Sequence, residues 1–107
     1  MSRLSCHVLD TSSGHPAAGI RVTVYPFNSQ QPLASETTDA DGRARFETTL
    51  PIGENYTLSF EVADYCQHTF GAVFFPLIEV HFHVADSRHH HVPVLLSPYS
   101  YSTYRGS

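Results

Sequence analysis

Lysine and tryptophan are both missing from the sequence, and charge of either sign is scarce: six arginines and ten carboxylates among 107 residues, for a formal net charge of −4. Nucleic-acid binding needs a basic stripe to neutralise phosphates, and the arginines form no cluster, so nucleic acid is excluded as the main partner. Only two cysteines occur, Cys6 and Cys66, far apart and without metal-ligand spacing. The expectation is two buried thiols in a reducing compartment, not a disulfide. No segment approaches the length of a membrane span, and the opening MSRLSCHVLD has no apolar run of signal-peptide length. The expectation is a soluble cytoplasmic protein with no membrane contact, with the peroxisome as the alternative compartment. A Gly-x-Ser-x-Gly elbow, a phosphate-binding glycine loop and a Glu-rich acid/base pair are also missing. The chemistry that remains open uses imidazoles, guanidinium, hydroxyls and carboxylate.

Apolar content of 41% suits a compact fold, and the length allows one domain, 1–107, more comfortably than two. Charged content of 15% is low for so small a surface and points to cover by other subunits. Period-2 alternation dominates. Leu4, Cys6 and Val8 face one way and Ser5, His7 and Leu9 the other, as in a half-buried strand. The same pattern predicts strands over 20–25, 33–37, 43–48, 56–62, 78–84, 90–96 and 99–104. Residues 10–16 read as a turn, and Asp39-Ala40-Asp41-Gly42 as a tight turn with Gly42 at positive φ. One helix of about two turns is predicted over Ala63–Phe70, stopped by Gly71. About eight short strands and one short helix define an all-β fold, an antiparallel β-sandwich with Greek-key-like connections.

Eight histidines give the sequence its chemical character. His7 sits mid-strand on the face opposite the Leu4/Cys6/Val8 stripe, and Arg43 follows the Asp-Gly turn; each on its own is compatible with an ordinary solvated position. Cys6 and His7 cannot form a nucleophile–base dyad, because strand neighbours project to opposite faces. His81 and His83 share one face of a strand. With one of His89, His90 and His91 they would make a zinc site; a histidine pair packed at an interface is the other reading.

Together, LSCHVLD, GHPAAGIRVTVY, TTDADGR, VFFPLIEVHFHV and HHHVPVLLSPYSYSTYRGS resemble the transthyretin-related 5-hydroxyisourate hydrolases, over essentially the whole chain. The most specific element is the closing Tyr104-Arg105-Gly106-Ser107. The resemblance implies a transthyretin-like sandwich assembled as a homotetramer, a dimer of dimers, with active sites in a channel between subunits. It implies hydrolysis of 5-hydroxyisourate in urate catabolism without metal or other cofactor. His7, Arg43 and His91 would be catalytic, and Tyr104, Arg105, Gly106 and Ser107 would bind substrate. Leu77, His81 and a short loop from Asn28 to Pro32 depart from the pattern outside the matched site. The competing expectation is a non-catalytic carrier of a small aromatic ligand in the same channel.

Overall fold

A computed structural model describes residues 1–106; Ser107, one of the expected substrate-binding residues, lies outside the described residues. In chain order the elements are β1 (Ser2–Asp10), β2 (His15–Pro16), β3 (Arg21–Pro26), β4 (Ala34–Thr37), β5 (Arg43–Leu50), β6 (Asn55–Glu61), α1 (Ala63–Phe70), β7 (Ile78–His83), β8 (His90–Leu96) and β9 (Tyr101–Thr103). They form two sheets. One runs β4-β3-β6-β7, and the other runs β2-β1-β8-β9 with β5 beside β2 on the same edge of β1.

Alternation builds the core. The inward residues Leu4, Cys6 and Val8 of β1, Val22 and Val24 of β3, Leu58 and Phe60 of β6, and Val94 and Leu96 of β8 are all at most 1% exposed. Each of the larger side chains contributes about 1.5–3 kcal/mol by leaving water. Helix α1 crosses between β6 and β7 and ends where Gly71 turns left-handed at φ 75°, its N–H donating to the Gln67 carbonyl at 3.1 Å. Its Tyr65 hydroxyl donates to the buried Asp10 carboxylate at 2.9 Å, pinning the helix to the end of β1.

The sandwich and the helix match the sequence pattern, with three differences of detail. The pair β1–β8 is parallel, whereas every other strand pair is antiparallel. Within the expected 10–16 turn, His15 and Pro16 pair with Asp10 and Leu9 to form β2. The last strand is shorter than the expected 99–104, because Ser97 and Ser100 close a turn that takes Tyr99 out of the ladder: the Ser97 N–H donates to the Ser100 carbonyl at 2.9 Å. Cys6 and Cys66 are both free and buried.

The Asp39–Gly42 turn forms as expected. Gly42 is at φ 73°, and its carbonyl accepts the Val8 N–H at 2.8 Å. A Cβ on Gly42 would lie 2.5 Å from the Val8 carbonyl oxygen, a backbone atom that cannot step aside. Gly42→Ala should therefore cost about 2 kcal/mol, a fall in Tm of roughly 10 °C for a domain of this size. An unchanged melting curve would show that this turn relaxes freely.

Candidate active site

The register of three adjacent strands assembles the site. Strand β1 lies between β5 and β8, with Cys6 opposite both Ala44 and Val92, and that row faces the core. The rows on either side must then face outward. His7 is opposite Arg43, and Ser5 is opposite both Arg45 and His91. The three expected catalytic residues thus share one sheet face. His7 and His91 are diagonal neighbours on adjoining strands, with Cα atoms about 8 Å apart from strand rise and spacing. Arg43 reaches toward His91 from the far side of β1. Asp39 shapes that approach: its carboxylate accepts the N–H groups of Asp41 at 2.9 Å and Arg43 at 3.0 Å.

A cavity of about 250 Å³ on this face is lined by Ser5, Cys6, Arg43, Arg45, His89 and His91. His7 adjoins it through Arg43. The electrostatics of the two imidazoles agree with that proximity. Burial pushes the His91 pKa below the ordinary 6.5, and the Arg43 charge, then His7 and His89, push it further the same way. His7 is lowered first by burial and then by Arg43, against an upward pull from the Asp41 backbone and the Asp39 and Asp41 carboxylates. Both rings are therefore neutral at pH 7, with a lone pair available to take a proton. Cys6 offers no alternative nucleophile, since burial pushes its thiol up to about 12.

The closing segment packs against His91 from the other side. The Gly106 N–H donates to the His91 carbonyl at 2.8 Å, and the Thr103 hydroxyl donates to the Pro93 carbonyl at 2.7 Å. Tyr104 and Arg105 do not share the cavity of Arg43. They line a second one, about 260 Å³, together with Phe82, His83, His91 and Val92. Arg105 is half-exposed, with Nη2 3.8 Å from the Asp86 carboxylate. Among the described residues of the expected site, His91 alone borders both cavities.

The remaining histidines separate by strand geometry. His90 points inward, 5% exposed, its Nδ1 2.8 Å from the Arg88 carbonyl. On β7, His81 Nδ1 is 2.7 Å from Thr57 Oγ1 and His83 Nδ1 is 2.7 Å from Asn55 Oδ1, each its direct cross-strand partner. Among the described residues no three His, Cys, Asp or Glu side chains converge closely enough to hold a metal ion. Sequence reasoning missed Ser5, whose hydroxyl lies 2.7 Å from both His91 Nδ1 and His89 Nε2. Its place two residues before His7, on the same face, was the available signal.

With this geometry in view, comparison with known proteins is decisive. The HIUase/Transthyretin family profile matches residues 4–106. The chain belongs to that family. It is 43% identical to the 5-hydroxyisourate hydrolase of Caulobacter vibrioides, with all of both chains covered. Among solved structures it is similar to Klebsiella pneumoniae 5-hydroxyisourate hydrolase, with a TM-score of 0.88, 34% identity and full coverage of both chains. It is also similar to sea bream transthyretin in complex with thyroxine, with a TM-score of 0.82, 25% identity, and 96% and 93% of the two chains covered. Family membership joins a sandwich found both in a 5-hydroxyisourate hydrolase and in a thyroxine-bound transthyretin to an outer face that holds two neutral imidazoles beside guanidinium.

Gly106 has a use that its lack of a side chain explains. A Cβ there would come 2.5 Å from His91 Cδ2 and 3.1 Å from its Cβ and Cγ. Gly106→Ala should displace the His91 ring, visible in a crystal structure of the variant or as a change in the His91 imidazole NMR signals. A ring left in place would show that the tail is not what seats it.

Proposed function

We propose that this chain hydrolyses 5-hydroxyisourate to 2-oxo-4-hydroxy-4-carboxy-5-ureidoimidazoline in urate catabolism. The observation that carries the reading is the row of His7, Arg43 and His91 on one outer face, in a chain similar over its full length to enzymes of that name. In the reaction, a water oxygen bonds to the ring carbonyl carbon, the carbonyl oxygen becomes an oxyanion, and the C–N bond of the six-membered ring breaks. The ring nitrogen takes a proton and the carbonyl carbon becomes a carboxylate.

The two imidazoles share the base and proton-shuttle duties, since each is neutral at working pH. Arg43 stabilises the oxyanion with a charge that does not titrate near neutrality. Arg105, from the cavity it shares with His91, meets the polar ring edge across that ring. The chain works as a homotetramer, a dimer of dimers. Support for that comes from the unpaired outer edges of β7 and β9 and from the aromatic cluster beside them. There Phe74, Phe75, Tyr99 and Tyr101 meet edge-on at 4.8–5.8 Å, with Phe74 61% and Tyr99 67% exposed.

Loss of the near-ultraviolet absorbance of freshly generated 5-hydroxyisourate, compared with its spontaneous decay, tests the activity. Tight binding without acceleration would instead identify a carrier. Arg43→Ala should lower turnover by about two to three orders of magnitude, and His7→Ala and His91→Ala should each nearly silence it in a folded protein. A loss of less than about fivefold for Arg43→Ala would remove it from oxyanion stabilisation.

The pH profile is a separate check. Activity needs the neutral rings, so it should rise with pH through their lowered pKa values, below 6.5, and be level at neutrality. Arg43 pushes both pKa values down, so the residual activity of Arg43→Ala should have its acid limb at higher pH. A limb that stays put would mean that neither imidazole sets the profile. For assembly, light scattering should give four times the 11.9 kDa chain mass, and an active monomer would contradict the tetramer.

A further inference from the structure

We propose that Ser5 is a positioning residue that couples His91 to His89: its hydroxyl holds His91 as the Nδ1–H tautomer and relays a proton between the two rings. This rests on the hydrolase reading above and adds a residue to it. Ser5 Oγ lies 2.7 Å from His91 Nδ1 and 2.7 Å from His89 Nε2. A hydroxyl has one proton to give, so between two imidazole nitrogens it accepts from one and donates to the other. Two arrangements follow. In the first, His91 Nδ1–H donates to Ser5, Ser5 donates to His89 Nε2, and His91 Nε2 is bare. In the second both bonds reverse, and His91 Nε2 carries the proton.

The surroundings select the first at rest. Arg43 and Arg45 line the cavity with His91, His7 approaches through Arg43, and Arg105 lies on the other flank. Cationic donors on the cavity side favour a lone pair, not an N–H, at Nε2. The Gly106 contact fixes the ring's Cδ2 edge, so Ser5 determines which nitrogen faces the cavity.

The two arrangements are also the two ends of a proton hop. As water attacks the ring carbonyl, its proton goes to His91 Nε2. The Nδ1 proton passes to Ser5 Oγ while the Ser5 proton passes to His89 Nε2, leaving His91 neutral and the positive charge on exposed His89. When the C–N bond breaks, Nε2 delivers its proton to the departing ring nitrogen and the hop reverses, restoring Nδ1–H. The net result is one water proton moved to the ring nitrogen, with the transient charge held on exposed His89 and not on His91.

Two measurements test this. Nitrogen-15 NMR of the imidazoles in the resting protein at pH 8, without substrate, should show His91 as the Nδ1–H tautomer, and Ser5→Ala should lose it. In the absorbance assay, Ser5→Ala and His89→Gln should each lower kcat by about 10- to 100-fold with KM changed less than about threefold, and Ser5→Thr should restore most of the loss. The Gln side chain keeps a hydrogen bond but cannot take the proton. An Nε2–H tautomer for His91 in the wild type would overturn the proposal. So would wild-type kcat in Ser5→Ala or His89→Gln, or no rescue by Thr, which would mean that Ser5 only fills space. If the wild type does not accelerate ring opening at all, the hydrolase reading fails, and the tautomer measurement still decides the role of Ser5.

Discussion

The pairing of β1 with two neighbours at once is the constraint on which the rest depends. Over residues 4–7 its edges are satisfied by β5 and β8, and the registers put Cys6, Ala44 and Val92 in one inward row. A slip of one residue on any of the three strands would turn that strand's polar row into the core and its core row outward. The cost of burying arginine or histidine in place of Cys6, Ala44 or Val92 makes such slips prohibitive. The hydrophobic core is therefore what aligns His7, Arg43 and His91, although none of them belongs to it. Gly42 lets the chain turn into β5 tightly enough to reach Val8, and Gly106 lets the closing segment lie against the His91 ring.

The second constraint is charge. Two guanidiniums and three imidazoles lie on one small patch of sheet, and burial first, with the Arg43 charge second, keeps His7 and His91 neutral. A neutral ring keeps a lone pair that can accept a proton. The Cys6 thiol, next to His7 in the chain, is buried and pushed up to about 12, so it adds no nucleophile to this face. In the proposed relay, the Ser5 hydroxyl gives charge arriving on His91 a route to exposed His89.

Much of this was legible in the sequence because local rules dominate at the relevant places. Alternation from Leu4 to Leu9 puts His7 on the non-core face, Asp-Gly marks the turn before Arg43, and Gly71 ends the helix where expected. What stayed hidden was non-local. The link from Ser5 to His91 spans 86 positions and exists only through the parallel pairing of β1 and β8, which no local pattern encodes. Likewise the run His89-His90-His91 reads as one basic or metal-binding tract, yet strand geometry sends His90 to the interior and its neighbours to the opposite face. The two-residue β2 and the Ser97–Ser100 turn were too short to register as periodicity. The placing of Tyr104 and Arg105 in a cavity apart from Arg43 depends on how the tail crosses His91, again a tertiary matter.

The most direct measurement is a crystal structure of the protein with an unreactive oxidised-purine analogue. The account predicts the planar ring lying on the outer face of β1 and β8, a carbonyl oxygen toward the Arg43 guanidinium and the ring edge within reach of His7 and His91. An analogue lodged instead beside Phe82 and Tyr104, or on the β4-β3-β6-β7 sheet, away from Arg43, would contradict it.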